Sequence, residues 1–401
     1  MMRYLMQRLR RRNVPRQRIR APVTLDMSLV FLILGLLAFG WVMVSSASMV
    51  DAAYDYHNPF FYVYRQGFFA ILGIGILLLA LLVPSDNYQK LDRLWLIMAF
   101  ALLIAVLIPG IGREVNGSRR WIPLFIINVQ VSEVVKLCAI MYFAGYLVRF
   151  GQYARETFLG VVKPLIILAV MALLLLMEPD FGASVVMFTC VFGMMFMAGV
   201  KFRWFAIVIS TGAIAAVLLV VFEPYRLARL TGFLNPWENA NTSGYQLVQA
   251  LISYGRGGWF GDGLGNSIQK QFFLPEAHTD FIVSIIAEEL GVVGVMILLV
   301  VYAMLIFKGM KIAWFSYKLE RHFQSYISYG ISFWVVFQVI VNIGVNIGVL
   351  PTKGLTLPLI SYGGSSLMIM CFALGILLRI DFENKIIADE LMPRYIYRKK
   401  K

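Results

Sequence analysis

Phe272-Phe-Leu-Pro-Glu-Ala-His-Thr-Asp280-Phe-Ile-Val-Ser-Ile-Ile-Ala-Glu-Glu-Leu290 holds the decisive transition of this chain, because a polar and aromatic stretch turns at Asp280 into an apolar run that continues to Phe307. A helix of that length, rising 1.5 Å per residue, crosses the roughly 30 Å hydrocarbon core of a bilayer. The run therefore reads as a membrane helix with a carboxylate at its mouth. A titratable group at that boundary is a candidate for chemistry on a lipid-borne substrate.

The same ruler applied outward marks ten spans, over approximately residues 25–48, 62–83, 94–109, 131–148, 160–177, 181–200, 204–222, 281–307, 324–350 and 359–380. Composition agrees: 60% hydrophobic residues, 14% charged residues and a mean hydropathy of +0.76 leave too little polar surface to wrap a soluble globule of 401 residues. The expected fold is all-α, a polytopic membrane protein whose ten helices fill residues 25–380 between basic tails at 1–24 and 381–401. Lys and Arg gather in the segments this arrangement places inside, which puts both termini in the cytoplasm. The first apolar run is too long for a signal-peptide core and reads as a retained anchor.

A net charge of +14 could suggest nucleic acid, but the surplus sits in tails beside helix ends, where anionic headgroups are the nearer partner. No nucleic-acid role is expected. Cys138, Cys190 and Cys371 all fall inside spans and read as small packing residues, with no disulfide framework. The three histidines do not cluster with other ligands, so a zinc site is not expected.

One connection is much longer than the rest, the external loop 223–280 between the seventh and eighth spans. Loops of that length are functional or disordered, and Trp237, Tyr245, Tyr254, Trp259, Phe272 and Phe273 argue for order. Its glycine-rich run, Gly255 to Gly265, either brings backbone N–H groups to a phosphate or permits tight turns over the bundle. No Walker lysine follows it. A second external element, 110–130, carries Arg119, Arg120 and Trp121. Guanidinium groups on the outer face suit a phosphate, or an ion pair with Glu114 or Glu238.

Inside the fourth span Glu133 and Lys136 stand three residues apart on one helical face, with Lys136 about 9 Å below Gln130. A lysine at that depth is paired or lines a wet cavity. Glu288 and Glu289 point about 80° and 180° away from Asp280 on an ideal helix, so structural or coupling roles are expected of both. Pro179-Asp180, Pro351, Pro358 and Gly363-Gly364 mark helix breaks near the outer surface.

Val115-Asn116-Gly117 with Arg120-Trp121, Glu133 with Lys136, Pro179-Asp180-Phe181-Gly182, Asn235-Pro236-Trp237, Gly244-Tyr245-Gln246, Leu274 to Phe281, Ala287 to Gly291 and above all Leu350 to Ser366 together carry a resemblance. The chain resembles the SEDS family, the shape, elongation, division and sporulation polymerases of bacterial cell-wall synthesis, over nearly its whole length. Ala277, Phe181, Thr352, Lys353 and the long basic tail resemble the division branch more than the elongation branch. Val131 departs from the family's usual proline after Gln130.

The resemblance implies a peptidoglycan glycosyltransferase of the bacterial inner membrane that polymerises lipid II at the division septum. It implies a class B penicillin-binding transpeptidase partner, other divisome membrane proteins, and a divalent cation, Mg or Mn, with ligands unassigned; no organic cofactor is expected. Asp280 would be the general base, taken as an exposed carboxylate with a pKa of about 3.9. Arg120, Arg119, Trp121, Lys136, Gln246 and Lys353 are the candidate substrate and pyrophosphate contacts, and Glu133, His278, Glu288 and Glu289 the structural or coupling residues. A lipid II flippase or transporter, an elongation-branch polymerase of the same family and a non-catalytic divisome scaffold are the rival readings. A flippase commonly shows paired repeats with matched broken helices, and none is visible here.

Overall fold

The computed structural model describes residues 24–399, apart from 116–117, 125–126, 208–209, 211–232, 243 and 352–353. Helices α1 (Met27–Tyr56), α2 (Phe61–Leu82), α3 (Ser85–Lys90) and α4 (Asp92–Leu107) precede a three-stranded antiparallel sheet of β1 (Arg113–Val115), β2 (Ser118–Leu124) and β3 (Ile127–Gln130). Then come α5 (Val131–Glu156), α6 (Phe158–Met177), α7 (Phe181–Met197), α8 (Tyr245–Gly257), α9 (Ile282–Lys318), α10 (His322–Asn346) and α11 (Gly364–Lys399).

Among the described residues seven helices, α1, α2, α5, α6, α9, α10 and α11, are long and apolar enough to cross a membrane, and α7 is apolar but shorter. The span expected at 204–222 lies mostly outside the described residues, as do the N-terminal tail and Lys353. The described residues are mostly helical, as expected, with this small sheet as an addition to the all-α expectation. Residues 113–130 hold no long apolar run, and backbone groups close to a membrane must find partners, which hairpins supply internally. Register sets Trp121 opposite both Arg113 and Gln130.

Two helices outrun their expected ends. α1 continues past Ser48 to Tyr56, and α11 continues past Ile380 to Lys399. Hydropathy marks where lipid stops, whereas a helix persists as long as its side chains support it. In α11 the pairs Arg379–Glu383 and Lys385–Asp381, each at 2.7 Å and four residues apart, do so.

The core is built around α5 and α10, most of whose residues are buried. Gly330 of α10 sits where a Cβ would meet Ile140 of α5 and Met194 of α7, so the absent side chain lets three helices close up. Helices α1, α2 and α9 instead turn Phe31, Ile71, Leu79, Ile297 and Phe307 outward, as lipid-facing surfaces do.

At 37 residues α9 would be about 55 Å long, more than a bilayer core requires. It is interrupted at Gly291, where φ is 69°. The large loop is laced into that interruption: the N–H groups of Val292 and Val293 donate to the carbonyls of Gly258 and Trp259, while those of Asp262 and Gly263 donate to the carbonyls of Glu288 and Glu289. Backbone groups freed by the break therefore find partners in the loop.

Candidate active site

Asp280 occupies the turn immediately before α9 and is half-buried. Its backbone carbonyl accepts hydrogen bonds from Nδ2 of Asn342 and of Asn346, both at 3.0 Å, at the C-terminal end of α10. Asn342 Nδ2 also reaches the Leu355 carbonyl at 2.6 Å, and Asn346 Oδ1 accepts from Ser284 N and Oγ at 3.1 and 2.7 Å. Two amides thus bind the Asp280 turn, the start of α9 and the segment after α10 into one unit. Gly354 lies against the carboxylate, since a Cβ there would stand 2.6 Å from Asp280 Oδ2.

Burial, reinforced by Glu276 and Asp180 and opposed by Arg120, pushes the Asp280 carboxyl up to about 7. This corrects the reading of an exposed carboxylate of ordinary pKa. Near neutrality the group divides between its two forms, which matches a proton acceptor to its working pH.

Arg120, on β2, donates from Nε to the Glu178 carbonyl at 2.9 Å and from Nη2 to the Pro179 carbonyl at 2.7 Å. It therefore clamps the break between α6 and α7. Asp180 caps α7, its Oδ1 accepting from Ala183 N at 3.1 Å. Glu178 is fully buried, and neither carboxyl oxygen has a partner among the described residues. Burial first, then Asp180, pushes it up to about 8 against the pull of Arg120, so it is largely a neutral acid at pH 7.

The other expected residues separate. Arg119 pairs with Glu114 at 3.1 Å on the exposed side of the sheet. Trp121 and Gln246 are half-buried on β2 and α8, and no hydrogen bond joins either to Asp280. His278 packs its ring 4.6 Å from Tyr62 and 5.7 Å from Tyr362, with Nδ1 3.6 Å from Asp51. Lys136, a candidate pyrophosphate contact that the spacing also pairs with Glu133, is buried, 2.7 Å from Glu133 Oε1, with its ammonium 5.1 Å over the Trp334 ring. Trp334 lies eight residues before Asn342, about 12 Å deeper along α10.

Glu288 accepts from the N–H groups of Ile268 and Gln269 at 2.9 and 3.3 Å and from Ser267 Oγ, with Arg256 Nε 3.4 Å away. Glu289 pairs with Lys270 at 2.8 Å and accepts from Ser46 Oγ of α1 at 2.7 Å. Both tie the loop to the bundle. Among the described residues no group of three or more His, Cys, Asp or Glu side chains is arranged to hold a metal ion.

Glu178, Gly354, Asn342 and Asn346 were not singled out from the sequence. The asparagines did leave a signal, two amides four residues apart in an apolar run, which is the mark of a helix face turned inward.

The profile of the cell cycle protein family FtsW/RodA/SpoVE matches residues 27–386. The chain belongs to this family. An FtsW/RodA/SpoVE member from Francisella salina, named Probable peptidoglycan glycosyltransferase FtsW, is 59% identical over 96% of each chain. One of the same name from Legionella pneumophila is 48% identical over 91% of this chain and 93% of its own. A chain from a solved peptidoglycan synthase complex, described as coordinating polymerization and crosslinking, superposes with a TM-score of 0.70 at 29% identity, over 90% of this chain and 98% of that one. The rod shape determining protein RodA of Thermus thermophilus superposes at 0.65 with 29% identity, over 89% of this chain and 97% of its own.

Proposed function

We infer that this protein is a peptidoglycan glycosyltransferase of the FtsW type, polymerising lipid II into β-1,4 glycan strands. The observation that carries the reading is Asp280, held by its own backbone at the mouth of α9 with a proton affinity raised to about 7. Its carboxylate takes the proton of the acceptor sugar's 4-hydroxyl as that oxygen bonds to the donor's anomeric carbon. The bond from that carbon to the undecaprenyl pyrophosphate breaks, its electron pair leaves with the phosphate, and an α-linked donor gives a β-linked product. A pyrophosphate needs no acid to depart.

Arg120 supports this assignment because its Nε and Nη2 are spent on carbonyls while its positive charge already acts on Asp280. A cation there meets charge developing on the leaving group. Arg119 would add a second positive charge from the same strand. A divalent cation, Mg or Mn, would come with the substrate, whose phosphates and water supply ligands; no step above is routed through it.

The likeness to a chain of a synthase complex supports a class B penicillin-binding transpeptidase as partner, and other divisome membrane proteins beside it. In this reading the chain crosses the inner membrane ten times, with the large loop between the seventh and eighth spans and both termini cytoplasmic, so that Asp280 faces outward; the likeness to proteins named FtsW supports a place at the division septum. Proteoliposomes supplied with labelled lipid II, with the transpeptidase co-purified, test the reading. Glycan polymer supports it, and translocation without polymer makes the protein a flippase.

A further inference from the structure

Four residues of α10, Trp334, Gln338, Asn342 and Asn346, recur every fourth position and so share one face of the helix. All four are buried. Their upper members hold the Asp280 carbonyl, and the lowest lies under the Lys136 ammonium. Between these ends the polar atoms are unmatched. Trp334 Nε1, both Nε2 and Oε1 of Gln338, Asn342 Oδ1 and, on α5, Glu133 Oε2 have no hydrogen-bond partner among the described residues.

One unmatched buried atom is an oddity, but four along about 12 Å of one face of α10, with a fifth on α5, are a pattern. Each would cost stability if left dry, and a chain under selection could have filled the column with leucines instead. Both donors and acceptors are present: an indole N–H, an amide offering both and an amide oxygen on α10, and a carboxylate oxygen on α5. That is the environment in which buried water is held, two to four polar partners apiece.

We propose that this face of α10 holds a file of ordered water molecules linking the Glu133–Lys136 pair to the Asp280 turn, with Gln338 as its central positioning residue. The water completes the hydrogen bonding of Gln338 and Asn342, and Asn342 in turn fixes the Asp280 peptide. The buried pair thereby sets the position of the base without touching substrate, which gives Lys136 a role beyond locking α5. The second half of this proposal rests on the glycosyltransferase reading; the water file does not.

X-ray radiolytic labelling of the full chain in detergent, read by mass spectrometry, tests the file directly, because hydroxyl radicals formed on bound water oxidise an adjacent buried tryptophan and a dry one stays silent. Trp334 is expected to be labelled in the wild type and silent in Gln338→Leu, with Gln338→Asn labelled. An unlabelled wild-type Trp334 overturns the proposal even if glycan is made. For the coupling, Gln338→Leu is expected to lower kcat on lipid II by roughly tenfold at unchanged KM, the scale of one lost hydrogen bond, with Gln338→Asn restoring most of it. Turnover equal to wild type in a Gln338→Leu protein that has lost Trp334 labelling overturns the coupling. Matching melting temperatures of the variants exclude misfolding as the cause of either change.

Discussion

Asp280 and the Glu288-Glu289 pair lie within nine residues of one another, yet they are handled in opposite ways. The two glutamates are buried and met on every side by Ser267, Lys270, Ser46, Arg256 and backbone N–H groups. Around Asp280 the protein grips the backbone and leaves the carboxylate to burial, with acids Glu276 and Asp180 nearby and one arginine to offset them. Full pairing makes a charge structural, and incomplete pairing leaves it free to react. Perturbation of this second kind marks functional sites.

The contrast breaks most visibly if Asp280→Asn still polymerises lipid II. Expected is a fall in turnover on the order of 10²–10⁴-fold, the usual worth of a general base, with thermal stability unchanged. Glu289→Ala should do the reverse, stranding Lys270 in the interior and lowering unfolding free energy by roughly 3–5 kcal/mol, read as an earlier denaturation midpoint in detergent. If that variant melts like the wild type, the glutamate pair is not the structural member of the comparison.

A pH profile sharpens the same point. Activity of the wild type should rise with pH through about 7 as Asp280 loses its proton. Arg120→Ala removes the one charge that favours the ionised form, so its rising limb should move to higher pH; an unmoved limb would detach Arg120 from Asp280. Glu178→Gln should change the rate at pH 7 little, because that carboxyl is already mostly neutral, and a large loss would show that its ionised form is the active one. Smallest of all, Arg119→Ala should cost under about 1 kcal/mol of stability, as exposed ion pairs do, measured by the same denaturation series.

Much of this was legible in the residues. Apolar runs gave the spans the structure describes, because bilayer thickness is a hard ruler, and Asp280 stood out because its place at a helix mouth is a matter of chain position. What hydropathy could not supply was the packing between distant segments. The Glu133–Lys136 pair was readable from its spacing, but the Trp334 ring against the ammonium and the Gln130 N–H donating to Ser365 Oγ at 3.2 Å join residues far apart in the chain. The sheet was missed because its strands are short and amphipathic rather than apolar. The raised pKa of Asp280 was missed because burial belongs to the fold, not to the residue.

The interruption of α9 has a practical side. Gly291 has a left-handed backbone, and any side chain there would strike the carbonyl of Trp259. Loop and helix are in effect spliced, so a graft exchanging the large loop between relatives must carry this glycine and its flanking turn along with it. A transplant cut at the membrane surface would sever the joint it meant to preserve.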